Sequence, residues 1–281
     1  MVDIGQFQYR GLTFGRGTPM PVPGRTALMD MPEIRTSDAS KLRRDGVWPG
    51  DDFAGAKVFT LNGHIDAEMS NDGIDSLLEQ FVAAMAHGAE SDLTFWLPGI
   101  YGGQERRISA RPRRRSINLD QATRGWVSWS VEFHASDPRV YEQTIHEDTS
   151  TLPTAGGGLQ FNLVFSLVFG AVSQGGSIYA ANDGTTPAPI WARIDGPCAN
   201  PVLLLANTGE YLSFNLSIAS GDWLEVDFAN HTAMLNGTAS RFANIVNHGW
   251  WMLQPGDNEI QFRASTQTTA LLTVRWSSAW M

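Results

Sequence analysis

The sequence holds a single cysteine, Cys198, among 281 residues. One thiol cannot close an intrachain disulfide, and no cysteine-based metal site can form from this chain alone. Lysine is nearly as scarce: Lys41 and Lys57 stand against 18 arginines. Neither lysine lies in a G-x-x-x-x-G-K-[ST] loop, so the usual phosphate cradle is missing. The most apolar stretch, Phe161–Val172, is 12 residues long and is interrupted by Asn162, Ser166 and Gly170. That is too short to span a bilayer, and no membrane insertion is expected. The opening MVDIGQFQYRG lacks a basic segment followed by an apolar one, so no signal peptide is expected and synthesis in a reducing cytoplasm is.

Positive charge is also short. The formal net charge is −9, with 16 basic against 21 acidic residues in 1–150 and four against eight in 151–281. A general nucleic-acid binder needs a basic footprint to neutralise phosphates, and this balance argues against one.

Catalytic spacings are missing too. The six histidines (His64, His87, His134, His146, His231, His248) fall in no H-E-x-x-H or H-x-x-E-H pattern, and there is no G-x-S-x-G elbow. Glu225 and Asp227, at i and i+2 on a predicted strand, are compatible with a glycosidase carboxylate pair but equally with a solvated strand face. Asn71-Asp72-Gly73 and Asn182-Asp183-Gly184 read as turns and lack the further spaced ligands of a calcium loop. No catalytic, metal or cofactor residues are assigned, and a non-enzymatic protein is expected.

What is present is β-rich. Hydrophobic residues make up 42% of the chain, enough for packed cores, and the length suits about two domains. Phe7–Phe14 reads as an opening strand, and the Gly/Pro-rich Gly15–Pro32 as an extended arm or loop. Lys57–Leu61 and Leu93–Leu97 read as strands. In Trp126–His134, Val127, Trp129, Val131 and Phe133 alternate with Ser128, Ser130, Glu132 and His134, the pattern of a half-buried antiparallel strand. One helix is predicted over Ile74–His87. Leu77, Leu78, Phe81, Val82 and Met85 form its apolar stripe, with Asp72 or Asp75 as N-cap and Gly88 at the C′ position.

The polar segment Glu142–Gly158, ending in three glycines, reads as a linker, giving domains 1–150 and 151–281. After it, turn clusters such as Gln174-Gly175-Gly176, Asn207-Thr208-Gly209 and Pro255-Gly256-Asp257-Asn258 suit a sandwich of short antiparallel strands.

The sharpest charge feature is Arg106–Arg115, with Arg106, Arg107, Arg111, Arg113, Arg114 and Arg115 in ten residues. It reads as a docking surface for an acidic partner, as a nucleic-acid contact, or as a solvated edge strand and loop that Pro112 and the charges keep from pairing.

In this order, several of these features resemble the distal tail protein family of siphophages (phage tail family, siphovirus-type tail component). The resemblance runs through Gly11-Leu12-Thr13-Phe14-Gly15, Arg44-Asp45-Gly46, Gly50-Asp51-Asp52 and the single helix. It continues through Trp129–Phe133 with Ser136-Asp137-Pro138-Arg139, then Gly157-Gly158-Leu159 and Asn182-Asp183-Gly184. Asn200-Pro201, Gly221-Asp222, Leu235-Asn236-Gly237 and Leu253-Gln254-Pro255-Gly256 complete it.

The resemblance implies a mostly β protein. An N-terminal β-sandwich with one α-helix forms a ring, usually a hexamer, at the tip of the tail tube. A galectin-like antiparallel β-sandwich follows it. The implied partners are further copies of the chain, the tail tube protein, the tail-tip hub protein and receptor-binding or fibre proteins. DNA passes through the bore without being read. The arginine segment then becomes a candidate for inter-subunit or tube contacts, and the Gly15–Pro23 arm a candidate to lap onto a neighbour. Galectins bind sugar with His, Asn and Arg beside Trp-Gly-x-Glu. Here Gly249-Trp250-Trp251-Met252 has no such glutamate. A carbohydrate-binding module that contacts the host surface is the competing reading. It rests on ten tryptophans, with Trp126, Trp250 or Trp251, and Trp280 as the expected exposed ones.

Overall fold

The computed structural model describes residues 2–99, 101–153, 176–266 and 268–281. The chain forms two compact units. One holds Met1–Gln143 with Trp280–Met281, and the other holds Thr144–Ala279. The glycine run 156–158 and the apolar stretch 161–172 lie outside the described residues, as does the start of the 174–176 cluster.

In the first unit, β1 (Gln6–Tyr9) and β2 (Leu12–Gly15) form a tight hairpin rather than the one strand expected over Phe7–Phe14. The turn is Arg10-Gly11, with φ of 45° and 83°. Two positive φ values in a row match the twist of a two-residue hairpin, but Arg-Gly is not one of the dipeptides that announce it. Next come β3 (Gly24–Thr26), β4 (Ile34–Thr36), β5 (Ala39–Ser40), β6 (Val47–Trp48), β7 (Asp52–Ala54) and β8 (Lys57–Asp66). Helix α1 (Ile74–Ala84), β9 (Ser91–Trp96), β10 (Glu105–Asn118), β11 (Trp126–Ala135) and β12 (Val140–Glu142) complete the unit.

The sheet path runs β2-β1-β9-β10-β11-β8-β3, with β12 also on β10. Strand β10 carries it round a corner. Its first half pairs with β9 (Arg106 opposite Phe95) and its second half with β11 (Ile117 opposite Trp129), with a bulge between Pro112 and Arg114. A bulge bends a strand and raises its twist, which lets one strand serve two layers. Arg106 and Arg107 therefore lie on an interior stretch, paired with both β9 and β12, while Arg111–Arg115 pair with β11 alone among the described residues, and Arg113–Arg115 are exposed. The run is strand rather than loop, and the reading as a solvated edge fits only its second half.

The stripe of α1 packs on the sheet as its periodicity predicts. Leu77, Phe81 and Met85 are buried, and Phe81 meets Trp129 at 4.7 Å between ring centroids. The helix ends differ from expectation. Gly73 is the N-cap and no side chain caps there; Asp75 lies in the first turn, where a carboxylate favours the helix dipole. Gly88 does not end the helix, because Met85 is the C-cap. A Cβ on Gly88 would lie 3.0 Å from the Arg10 guanidinium, so glycine makes room for that side chain.

The Gly15–Pro23 segment is not free to lap elsewhere. Met20 and Val22 are buried in its own unit, and the Pro19 and Pro21 carbonyls accept from the Asp66 and His64 amides at 2.8 and 3.4 Å.

The second unit is built from β13 (His146–Thr151), β14 (Ser177–Asn182), β15 (Ile190–Asp195), β16 (Cys198–Ala199), β17 (Val202–Leu205), β18 (Tyr211–Phe214), β19 (Ser217–Ile218), β20 (Trp223–Asp227), β21 (Thr232–Leu235), β22 (Ala239–Ser240), β23 (Ile245–His248), β24 (Gly256–Arg263) and β25 (Leu271–Trp276). One sheet runs β13-β25-β15-β20-β21-β22 and the other β14-β24-β17-β18-β23, with β16 and β19 paired apart. All the neighbouring strands are antiparallel. Alternate residues are buried on each sheet, as with Ile190, Ala192 and Ile194 on β15, and Ile260 and Phe262 on β24. That is the pattern of a sandwich of two half-buried sheets.

The Asn182-Asp183-Gly184 turn is a structural device. Asn182 is fully buried. Its Nδ2 donates to the Thr186 and Leu253 carbonyls at 2.9 and 3.1 Å, while its Oδ1 accepts from the Gly184 and Ala279 amides. A Cβ on Gly184 would fall 1.8 Å from the Ala279 carbonyl oxygen, so only glycine fits.

Candidate interaction surface

The six arginines separate by what each guanidinium meets. On β10, Arg106 alternates inward with Ile108 and Ala110 and is 6% exposed. Its Nη2 donates to the Tyr101 carbonyl at 2.7 Å, and its guanidinium carbon lies 3.9 Å from the Trp280 ring centroid. Its Nε is buried without a hydrogen-bond partner among the described residues. Burial holds its pKa below the ordinary arginine value, and Glu142 opposes that shift.

Arg107 points outward. It donates to the Glu142 carbonyl at 3.1 Å and reaches Asp92 at 3.4 Å, with its guanidinium 5.5 Å from the Tyr141 ring centroid. Tyr141 in turn donates to Asp137 at 2.6 Å, and Asp137 pairs with Arg139 at 3.0 Å. Burial, then the Asp137 carboxylate, holds the Tyr141 hydroxyl protonated far above the ordinary tyrosine range. The Asp-Pro-Arg-Val-Tyr stretch is thus a brace for β12.

Arg115, expected as part of a docking surface, instead caps the helix. Its Nη1 donates to the Val82 and Met85 carbonyls at 2.8 and 3.3 Å, at the C-terminal end of α1, where a cation is favoured. Arg10, which the sequence reading passed over, takes the Ala86 and Ala89 carbonyls just beyond at 2.7 and 2.6 Å. Arg111 approaches Glu90 at 4.0 Å.

Arg113 and Arg114, at the bulge, are exposed and make no ion pair or hydrogen bond among the described residues. Beside them stands His134, opposite Arg111, with its Nδ1 buried and unpartnered. Desolvation first, then Arg113 and Arg111, hold its imidazole below the ordinary pKa. The arginine run therefore leaves one open cationic patch, made by Arg113 and Arg114 with Arg111 at its margin.

The residues of the competing readings meet other groups of the chain. Trp251 and Trp280, expected to be exposed, are 2% and 9% exposed. Trp250 is half-buried, with His231 stacked on it at 4.8 Å and Phe228 at 5.5 Å, and Trp126 stacks on His64 at 5.1 Å. Glu225 accepts from the Trp223 indole at 2.9 Å. Asp227 accepts from the Ala229 and Asn230 amides and from the Asn230 side chain at 2.7 to 3.0 Å. Both carboxylates are committed to local structure. Among the described residues, no three His, Cys, Asp or Glu side chains group as metal ligands, and no helix is long and apolar enough to cross a membrane.

Residues 183–280 match the family model described as siphovirus-type tail component, C-terminal domain. No curated protein sequence matches this chain. Among solved structures, the chain is similar to the SPP1 Dit (gp 19.1) protein, described as a paradigm of the hub adsorption apparatus in phages that infect Gram-positive bacteria. The TM-score is 0.65 at 11% identity, covering 98% of this chain and 99% of that one. Weaker similarity extends to the phage p2 baseplate in its activated conformation. The forms with Ca and with Sr give TM-scores of 0.49 and 0.48 at 11% identity, with 96% and 97% of the two chains covered. Those scores fall below the level at which a shared fold follows. Residues 183–280 thus match the C-terminal domain of the siphovirus-type tail component, and the chain as a whole shares the fold of the SPP1 Dit protein.

Proposed function

We propose that this chain is a non-enzymatic structural component of a bacteriophage tail tip or baseplate. It is a distal tail protein that assembles into a homo-oligomeric ring, a hexamer, and joins the tail tube to the tail-tip hub and adhesion device. The observation that carries the reading is the fold similarity over nearly the full length of both chains, together with the family match in residues 183–280. The commitment of Glu225, Asp227, Trp251 and Trp280 to internal contacts supports it over a glycosidase or a sugar-binding module.

In this reading the domain over residues 1–150 forms the ring, and residues 151–281 form a galectin-like sandwich directed outward. The protein is made in the host cytoplasm and ends in the virion tail tip. Arg111, Arg113 and Arg114 form the part of the arginine run that contacts an acidic surface of a tail partner. DNA passes the ring unread. The partners are further copies of the chain, the tube and hub proteins, and receptor-binding or fibre proteins.

Native mass spectrometry of the full chain and immunogold labelling of purified particles test this. A ring-sized oligomer and label at the tail tip are expected. A strictly monomeric chain that is absent from virions would falsify the reading.

A further inference from the structure

We infer that the ribbon of residues 34–54 is a docking arm for a second copy of this chain, whose basic tip seats on the acidic N-terminal half of α1 in that copy. The inference rests on the self-assembly proposed above and names the surfaces that would serve it.

The ribbon is an uncovered structure. Strand β4 pairs with β7 and β5 with β6, and neither pair joins a further strand among the described residues. From residue 33 to residue 53, only Lys41 is even half-buried. Ser37 donates to the Asp51 carbonyl and Asp38 accepts from the Gly50 amide, both at 2.9 Å, so the ribbon is stitched to itself. A two-stranded ribbon standing alone is marginal in water. Yet this one carries Leu42 at 92% exposure, Trp48 at 65% and Phe53 at 57%. Three large exposed apolar and aromatic side chains along one short ribbon suit a contact surface, and tryptophan is favoured at the buried centre of interfaces.

Charge decides what covers it. The tip presents Lys41, Arg43 and Arg44 around Leu42, with the Lys41 ammonium 4.9 Å from the Trp48 ring centroid. The matching surface is on the same chain. From Val58 to Glu105 there are eight carboxylates and no lysine or arginine. Glu68 and Asp72 are exposed before α1 and Asp75 and Glu79 in its first six residues, and none makes an ion pair among the described residues. The cations that do approach this helix, Arg115 and Arg10, sit past its other end. Met69, half exposed beside Glu68, offers apolar surface for Leu42. A patch and its complement at separate places on one subunit make a head-to-tail contact, which closes into a ring when the rotation allows.

The test uses the full chain, with sedimentation and native mass spectrometry over a range of concentrations. R43E/R44E is expected to raise the concentration for half-assembly at least about tenfold, because like charges brought together at an interface cost several kcal/mol. D75R/E79R is expected to do the same, and the quadruple variant to return most of the way to wild type. Arg43 and Arg44 are exposed and their side chains make no hydrogen bond or ion pair among the described residues, so the arm variant keeps its fold, which an unchanged thermal midpoint checks. Wild-type assembly with R43E/R44E unchanged, or no recovery in the quadruple variant, overturns the docking assignment alone. Unchanged assembly with loss of incorporation into particles assigns the arm to a different protein and overturns it too. A wild-type chain that never assembles overturns the ring reading, and the arm with it.

Discussion

The guanidinium carbon of Arg106 lies over the Trp280 ring, 3.9 Å from its centroid, and so ties strand β10 to the end of the chain within the first unit. The same arginine takes the Tyr101 carbonyl. Among six arginines in ten residues, this one is a core residue.

Arg106→Ala should therefore destabilise the first unit by about 2–4 kcal/mol. It removes a desolvated cation–π contact and a charged hydrogen bond, and leaves a partly buried carbonyl without that donor. Arg106→Lys should recover little, because an ammonium cannot stack as a planar fork does. Arg113→Ala and Arg114→Ala should each stay within about 0.5 kcal/mol. Chemical denaturation of the four variants checks the ranking, and equal costs at Arg106 and Arg113 would contradict it.

Arg115→Ala should cost about 1 kcal/mol by uncovering the last carbonyls of α1. The loss belongs to the helix end, so amide exchange should quicken first around Val82–Met85. An unchanged exchange pattern there would show that the cap adds nothing.

Asn182 has no adequate substitute. Asn182→Ala should cost about 3 kcal/mol or more, since each buried partner left unsatisfied costs ~1–3 kcal/mol. Gly184→Ala should be at least as damaging, since its Cβ has no room beside the Ala279 carbonyl. Thermal melts of both variants decide this, and a native-like midpoint for either would refute the turn's structural role.

Cys198 is buried, and burial pushes its thiol up to about 11 from the ordinary 9.0. The thiolate is the reactive form, so native protein should resist alkylation at pH 8 while denatured protein reacts. The sign of the linkage follows. The folded state holds this proton more tightly than the unfolded state, so the stabilisation is complete below about pH 9 and is lost as pH rises towards 11. Alkylation followed by mass spectrometry, with and without urea, measures the first part. Rapid native labelling would contradict it.

Much of the architecture was written in local patterns. The alternation of Val127, Trp129, Val131 and Phe133 with polar residues gave β11 and its buried face, and the three-and-four spacing from Leu77 to Met85 gave the helix and its packing side. Such periods are enforced by burial, so they survive in sequence wherever an element has one wet face and one dry one. The hairpin at Arg10-Gly11 was missed because the turn chemistry there is carried by one glycine and an arginine forced to positive φ.

The sequence by itself determined that the chain is mostly β with one helix, and that it lacks the residue spacings of familiar catalytic and metal sites. Those properties depend on residue type and near neighbours. The tertiary structure alone decided what each arginine does. A run of like charges looks uniform in one dimension, but β10 alternates its faces, bulges at Arg113 and serves two layers. One guanidinium is thereby placed on Trp280, another on a helix end, and two in solvent. It also decided that, among the described residues, the 34–54 ribbon stands uncovered, since what packs over a segment is a property of distant segments and leaves no local mark.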